Sequence, residues 1–200
     1  MSLFQNIIII MLLISAAGFL SLTEIALAGA RKVKLKILAE SGEIRAQKVL
    51  DLQEQSADFF AASQIGLNAV AILGGILGEA AFRPFFVEMI KDFYAGPWLE
   101  TIGFALSFTM VTSLFILFAD LMPKRLAMIA PEKIAISVID PIQVFIKVCK
   151  PLAWGINAIA NLLFRLFKVN TIRDDNITFD DISAVMDAGA QAGVLQKQEH

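Results

Sequence analysis

Polar side chains interrupt three long apolar runs of this sequence, and they are the residues best suited to chemistry. They are Ser21, Thr23 and Glu24 in the first run, Gln64 and Asn68 in the second, and Asp120, which follows Ala119, in the third. Each supplies an oxygen and two are carboxylates, which suits a hard cation or an ammonium group. Because unpaired polar groups in hydrocarbon are costly, we expect these side chains to face the interior of a helix bundle.

The stretch FADLMPKR places a carboxylate, a proline and two cations at the end of the third run. Pro123 has no amide hydrogen for the carbonyl of Ala119, one turn back, so we expect it to break the helix and free that oxygen for a ligand. Lys124 and Arg125 are expected to hold this end of the span at the inner interface. We therefore predict that Asp120 supplies the main negative charge of a cation site, whose neutral oxygens come from the hydroxyl groups of the first run and from Asn68.

Separate structural roles compete with this interpretation. The two hydroxyl groups could bond back to carbonyls of their own helix, and the two amides could join neighbouring helices. The two carboxylates could be interfacial charges paired with Lys124, Arg125 or Arg31. At about 1.5 Å per residue, Gln64 and Asn68 lie roughly 8 and 14 Å along the helix from Phe59. The polar groups of all three runs can thus meet in the inner half of a membrane, which favours a shared site.

The composition is that of an all-α integral membrane protein. Of 200 residues, 57% are hydrophobic and only 18% are charged, which is not typical of a soluble domain. Residues 1–23, 59–78 and 101–119 carry no charged side chain, and each run is about as long as the 20 residues that cross the hydrocarbon as a helix. The first run is long and lacks a basic N-terminal region, so we interpret it as a span and not as a signal peptide.

A fourth apolar stretch, residues 132–168, has a different pattern. Charged side chains interrupt it, and it contains Pro141 and Pro151. Its longest uncharged piece, residues 151–164, has about the length of an interfacial or re-entrant segment. We predict helices that are broken at the prolines and lie against the membrane face; the alternative is a fourth span.

Basic residues predict the orientation of the three spans. Residues 31–48 carry six Lys and Arg residues, whereas the loop between the second and third runs has only Arg83 and Lys91. Basic loops are cytoplasmic, so the N-terminus is expected outside and the C-terminus inside. Apolar residues at helical spacing around the turn at Ser41–Gly42 predict a cytoplasmic helical hairpin.

Other features limit the function classes. Gly74 and Gly78 lie one turn apart and predict close helix packing; with Ala71 and Gly75 they form a candidate dimer contact.

A single cysteine and a single histidine, at position 200, exclude Cys–His catalysis and His- or Cys-rich zinc sites. An enzyme is not expected, since a membrane aspartyl protease needs two facing aspartates and only Asp120 lies at the core end of a span. The net charge of −2 gives no indication of a nucleic acid partner.

Three stretches resemble the transmembrane domain of the CNNM/CorC family, also called DUF21, over essentially the whole chain. They are FLSLTEIALAGARKVKLKILAESG, QIGLNAVAILGGILGEAAF and FADLMPKRLAMIAPEKIA. The resemblance implies three spans, a cytoplasmic hairpin after the first, a belt-like helix after the third and a homodimer in the bacterial inner membrane. It implies a CNNM domain over residues 1–170, and residues 171–200, with a capping-box-like start at Thr178, as the beginning of an acidic helical linker to a CBS-domain pair.

The resemblance carries the family's cation site over in part. Where the family has a pattern like Ser-Gly-Ser-Glu, residues 21–24 read Ser-Leu-Thr-Glu; where it has Gly-Asn-Asn, residues 66–68 read Gly-Leu-Asn; where it has Gly-Glu-x-x-Pro-Lys, residues 119–124 read Ala-Asp-Leu-Met-Pro-Lys. Family members export magnesium in exchange for sodium, which implies Mg²⁺ or Na⁺ as transported or coupling ion and no resident cofactor. The implied magnesium ligands are Ser21, Thr23, Asn68 and Asp120. The implied structural residues are Gly66, Pro123 and Lys124.

A narrower resemblance concerns the substrate. The stretches QIGLNAVAILGG, LFADLMPKR, MIAPE and AGVLQKQEH resemble the family branch linked to export of cadaverine and putrescine. A diamine needs carboxylate and hydroxyl acceptors but not the close octahedron of oxygens that magnesium demands. The expected function is inner-membrane export of polyamine dications. The alternatives are efflux of magnesium or another divalent cation, with or without sodium coupling, and a membrane anchor or regulator that transports nothing.

Overall fold

Seven α-helices and one π-helical segment make up the part of the chain that this computed structural model describes, residues 3–167. The helices are α1 (Leu3–Gly29), α2 (Lys32–Glu40), α3 (Ile44–Glu54), α4 (Ser56–Lys91), α5 (Leu99–Leu114), α6 (Met122–Ile129) and α7 (Pro131–Leu166), and the π-helical segment is Phe115–Leu121. Residues up to 157 belong to one compact unit, which contains the candidate site, and a second unit begins at Ala158. The predicted linker from residue 171, with Thr178, lies outside the described residues.

Three helical stretches are long and apolar enough to cross a membrane, as the sequence predicts. They are Phe4–Gly29, Ser56–Lys91 and Leu99–Ile129. The first and second pack along each other, and the second packs along the third. At about 1.5 Å per residue, the 36 residues of α4 span roughly 54 Å, more than the ~30 Å hydrocarbon core. Helix α4 is therefore longer than one crossing requires, and its final third carries charged side chains.

The third span does not end at Pro123, so the predicted break there is wrong. Between α5 and α6 the chain passes through the π-helical segment Phe115–Leu121 without interruption, and Pro123 stands in the first turn of α6. The fixed φ of proline suits the first turn of a helix, and its missing N–H leaves one carbonyl of the preceding π-helical segment without a donor. The span ends instead at Ala130, whose backbone leaves the helical region (φ −145°, ψ 65°), because the following Pro131 disfavours the helical conformation.

The segment after the first span folds into two helices joined by a tight turn. Gly42 has φ +102°, which favours glycine, and its amide donates to the carbonyl of Ala39 at 3.0 Å. Gln53 of α3 ties this pair of helices to the end of α1, since its Nε2 donates to the carbonyls of Leu27 (2.8 Å) and Ala30 (2.9 Å). The turn lies where the sequence predicts it, and the membrane side of the pair stays a prediction.

Helix α7 is continuous, although we expected breaks at its two prolines. Pro141 and Pro151 both lie inside Pro131–Leu166. Each proline removes one backbone donor, but the side chains around the first are packed into the core: Ile139 and Ile142 are almost fully buried. Packing therefore holds the helix together across positions that would end it in isolation.

Two acidic residues anchor α7 to the helix pair α2–α3. Glu132 accepts from Arg31 Nε at 3.2 Å and lies 3.5 Å from Lys34 Nζ. Burial alone would raise the pKa of Glu132, but hydrogen bonds from its own amide and from Arg31, with the charge of Lys34, outweigh this effect and lower the pKa. Asp140 accepts from Lys48 Nζ at 2.6 Å and Arg45 Nε at 3.0 Å, and the hydrogen bond from Lys48 is the main cause of its lowered pKa.

The small residues of α4 pack within the chain. A Cβ atom at Gly78 would lie 2.5 Å from Val111 Cγ1 of α5, and one at Gly74 would overlap the ring of Phe115. The predicted close packing is confirmed, but these two glycines are covered by the same chain and are not open to a second copy. Gly75, on the neighbouring face of α4, has no atom within 4 Å of its Cβ position.

Candidate cation site

Asp120 is the centre of a small polar cluster between the first and third spans. Its Oδ1 accepts from the hydroxyl of Ser21 at 3.2 Å and lies 2.5 Å from Lys124 Nζ. Ser21 is fully buried, whereas 49% of the Asp120 side chain and 35% of the Lys124 side chain are exposed. The structure thus brings together the predicted carboxylate and one predicted hydroxyl, and it leaves the carboxylate accessible.

The π-helical segment exposes a backbone oxygen beside this cluster. The amide of Met122 donates to the carbonyl of Leu117, five residues back. In this register the donor for the carbonyl of Phe118 would be residue 123, which is proline. In this register the carbonyl of Phe118 therefore lacks an amide donor, and the free carbonyl that we expected at Ala119 stays a prediction. π-Helical turns are frequent at functional sites because they free backbone groups in this way.

Gly18 allows the third span to approach α1 closely at this point. A Cβ atom on Gly18 would lie 3.2 Å from the carbonyl oxygen of Phe118 and 3.2 Å from Pro123 Cγ. Because Gly18 and Ser21 are three residues apart, they lie on adjoining turns of α1. The Phe118 carbonyl and the Asp120 carboxylate therefore both face α1. Gly18 was not among the residues predicted from the sequence, although the run of small residues SAAG indicates close helix packing here.

Two polar residues of α1 take different roles from Ser21. Thr23 is almost fully buried, and its hydroxyl donates to the carbonyl of Phe19 at 2.7 Å, which is the back-bonding alternative considered from the sequence. Glu24 is half-buried and forms no hydrogen bond or ion pair with any residue between positions 3 and 167. The structure therefore places its carboxylate one turn from Ser21 with no partner.

The predicted amides of α4 are not part of this cluster. Gln64 Nε2 donates to Asn68 Oδ1 at 3.3 Å, and both side chains are exposed on the surface of the chain. We expected both amides to face the interior of the bundle. Gly66 lies on the buried face instead, where a Cβ atom would meet Phe145 Cζ at 2.6 Å and Leu20 Cδ1 at 2.8 Å. Each amide is two residues from Gly66 and so lies about 160° around the helix axis from that face, which means that within a single chain both amides face outward.

A further polar residue, Ser63, was missed in the sequence. Its hydroxyl oxygen is fully buried and has no hydrogen-bond partner among the described residues. Buried hydroxyl groups are nearly always bonded, so an unpaired one requires an explanation. The available signal was its position beside Gln64 in the stretch AASQIGLN.

An apolar cavity of about 720 Å³ lies beside the polar cluster, between α1 and the third span. Its walls include Gly18, Phe118 and Pro123, and Ser15 is the one polar side chain that lines it. The Ser15 hydroxyl already donates to the carbonyl of Met11 at 2.8 Å. The cavity therefore suits hydrocarbon and offers a cation no carboxylate.

Comparisons with known proteins agree with the membrane architecture. The model of the family described as Cyclin M transmembrane N-terminal domain (CNNM) matches residues 8–199. The polyamine export protein of Escherichia coli strain K12 is 52% identical over 196 residues, which are 98% of this chain and 44% of that protein. The polyamine export protein of Salmonella typhimurium strain 14028s is 53% identical over 196 residues, with the same coverage of each chain.

A third relative is the polyamine export protein of Haemophilus influenzae, which is 46% identical over 200 residues, 100% of this chain and 46% of that protein. The chain thus spans less than half the length of the curated relatives it matches.

Proposed function

Because the chain belongs to the Cyclin M transmembrane N-terminal domain family, we propose that it is the membrane-spanning part of a cation exporter in the bacterial inner membrane. We further propose that the exported substrates are polyamine dications such as cadaverine and putrescine. The names of the relatives at 46–53% identity support the substrate class. The structural observation that carries the proposal is the way in which Asp120 holds Lys124.

The side chain of Lys124 is a primary alkylammonium group, chemically equivalent to one end of a diamine. Its Nζ lies 2.5 Å from Asp120 Oδ1, the oxygen that also accepts from the Ser21 hydroxyl. The cluster therefore already has the geometry that binds an alkylammonium ion. Because Lys124 lies one turn from Asp120 on the same helix face, it acts as a tethered competitor for the substrate.

Substrate binding then consists of an exchange of ammonium groups. The substrate reaches the half-exposed carboxylate of Asp120, displaces the ammonium of Lys124 and donates hydrogen bonds to Asp120. The carbonyl of Phe118, which lacks an amide donor and faces α1 beside Gly18, supplies a neutral acceptor. Charge-assisted hydrogen bonds of this kind are about twice as strong as neutral ones, so the carboxylate dominates the affinity.

The remaining parts of the proposal are topological. We propose that the N-terminus lies outside and the C-terminus in the cytoplasm, which the basic segment 31–48 and the cations after the third span support. We also propose a homodimer, in which a second copy covers the exposed amides Gln64 and Asn68, because uncovered amides in hydrocarbon are costly.

Export by the full-length protein in proteoliposomes tests the proposal. Asp120→Asn keeps the size of the side chain and removes the charge, so we expect it to abolish uptake of labelled cadaverine into inverted vesicles. Asp120→Glu, which restores the charge, should retain partial activity. Asp58→Asn is the matched control, because Asp58 lies near Lys150 (3.9 Å) and outside the cluster.

Parallel assays with magnesium distinguish the other functions. If the protein transports magnesium but not cadaverine, its substrate is a divalent metal cation and not a diamine. Transport of neither, with correct membrane insertion, would identify an anchor or regulator. If Asp120→Asn transports cadaverine as well as the wild type does, the carboxylate is only an interfacial charge and the site assignment is wrong.

A further inference from the structure

Two polar groups that have no partner among the described residues belong to α1 and α4, which pack along each other. The hydroxyl of Ser63 is fully buried without a partner among the described residues. The carboxylate of Glu24 is half-buried and likewise has no partner in that part of the chain. A buried hydroxyl that makes no hydrogen bond loses its interaction with water and receives nothing in exchange. A ligand that binds here would satisfy both groups.

The packing of α1 against α4 places these two groups at one level. One turn after Ser63, Gly66 lies against Leu20. Gln53, just before the start of α4, donates to the carbonyls of Leu27 and Ala30 at the end of α1, so α4 runs antiparallel to α1. Three residues before Gly66 on α4 therefore correspond to about three residues after Leu20 on α1, which is position 23 or 24. Ser63 is therefore level with Glu24.

The unpaired groups also adjoin the Asp120 cluster. Ser21 and Glu24 are three residues apart on α1, which separates them by about 4.5 Å along the axis and about 60° around it. Ser21 faces the third span, where its hydroxyl donates to Asp120. Glu24 lies between that face and the face toward α4. The carboxylates of Glu24 and Asp120 are therefore two separate acceptors near this level of α1, and each is associated with a buried serine.

On the basis of the proposed function, we infer that the site binds a dication at two half-sites. The first half-site is Asp120 with Ser21, and the second is Glu24 with Ser63. Each half-site takes one ammonium group of a short diamine, and the hydroxyl of Ser63 bonds to the Glu24 carboxylate or to the ammonium it holds. A single magnesium ion requires all its oxygens at about 2.1 Å in one octahedron, whereas separated carboxylates match two charges on one carbon chain.

Comparison of a diamine with a monoamine of equal length isolates the second half-site. Binding of cadaverine and of pentylamine, which has the same five-carbon chain and one ammonium group, is measured by calorimetry on the full-length protein. In the wild type we expect cadaverine to bind about 10-fold more tightly or better, because it makes a second charge-assisted contact. Glu24→Gln should reduce cadaverine affinity to that of pentylamine and leave pentylamine affinity nearly unchanged.

Ser63→Ala tests the role of the hydroxyl. We expect the preference for cadaverine over pentylamine to fall about 5-fold, as for the loss of one hydrogen bond. Without ligand, the same variant should unfold at an equal or higher temperature, because it removes an unsatisfied polar group. Ser107→Ala is the matched control: Ser107 is also fully buried in a span, but its hydroxyl donates to the carbonyl of Phe104 at 2.9 Å. It should leave the preference unchanged.

The outcomes separate this inference from the proposed function. A wild type that binds cadaverine no better than pentylamine overturns the two half-sites, while binding of both amines retains an amine site at Asp120. A preference for cadaverine that survives both Glu24→Gln and Ser63→Ala overturns the assignment of these residues. If the wild type binds neither amine, the proposed polyamine function is itself wrong.

Discussion

Replacement of Lys124 by methionine provides a direct test of the idea that this lysine occupies the substrate's place. Lys124 Nζ lies 2.5 Å from Asp120 Oδ1, and the two residues are four apart on one helix face. Methionine keeps the length and the apolar stem of the side chain and removes the ammonium group. If Lys124 competes with the substrate, its removal should strengthen the binding of cadaverine.

The size of the effect follows from the exposure of the ion pair. Both side chains are partly exposed, 35% for Lys124 and 49% for Asp120, and such pairs contribute about 0.2–1 kcal/mol. Since 1.4 kcal/mol corresponds to a tenfold change in affinity, removal of the competitor should lower the Kd for cadaverine about 1.5- to 5-fold. A weaker effect than this range would mean that water already separates the pair in solution.

Calorimetric titration of the full-length protein measures the change. Lys147→Met, which removes a positive charge from α7 outside the cluster, controls for a general increase in negative charge. Lys124→Arg keeps a cation beside Asp120 and should leave the affinity close to that of the wild type. If Lys124→Met weakens cadaverine binding as strongly as Asp120→Asn does, Lys124 is part of the binding site and the competition argument is wrong.

Further predictions concern packing, pH and topology. Gly78→Leu should destabilise the protein by about 1–3 kcal/mol in thermal unfolding, because its side chain overlaps α5, whereas Gly75→Leu should not. The lowered pKa of Asp140 means that its contribution to stability is complete above the ordinary value of about 3.9 and is lost as the pH falls through the lower folded value. Melting temperatures of wild type and Asp140→Asn should therefore converge as the pH falls below the ordinary pKa of an aspartate, and a constant difference would contradict the ion pair. A cysteine at Lys36 should be labelled only from the cytoplasm and one at Tyr94 only from outside; labelling of both from one side would contradict the three-span topology.

The spans could be predicted because their signal is local. A run of about 20 residues without charge is visible in one window of sequence, and so is the turn at Gly42, where a glycine follows a serine between two amphipathic stretches. The predicted cluster of Ser21 with Asp120 also follows from topology, since both lie near the ends of spans that finish on the same side. Each of these inferences uses only the length and direction of the helices.

The register of the third span could not be predicted in the same way. Pro123 indicates a break when its own helix is considered alone. In the structure the chain passes from π-helical turns into α6 at this proline, and Gly18, more than 100 positions earlier, lets the same segment approach α1. Likewise, the glycines and the amides of α4 lie on adjoining faces of the helix. The glycine face is the covered one, because the side chains of Val111 and Phe115 pack against it. These outcomes depend on the shapes of distant side chains, which periodicity does not contain.

The ion pairs that hold α7 tolerate the loss of a basic residue better than the loss of an acidic one. Glu132 forms ion pairs with two cations, Arg31 and Lys34. Asp140 likewise forms ion pairs with two cations of α3. If one basic residue is replaced, the carboxylate still has its second cation. If the carboxylate is replaced, both cations lose their partner, and two neighbouring positive charges remain. Natural or engineered variation should therefore accumulate at the basic positions of the helix pair α2–α3, while each acidic position of α7 tolerates little change.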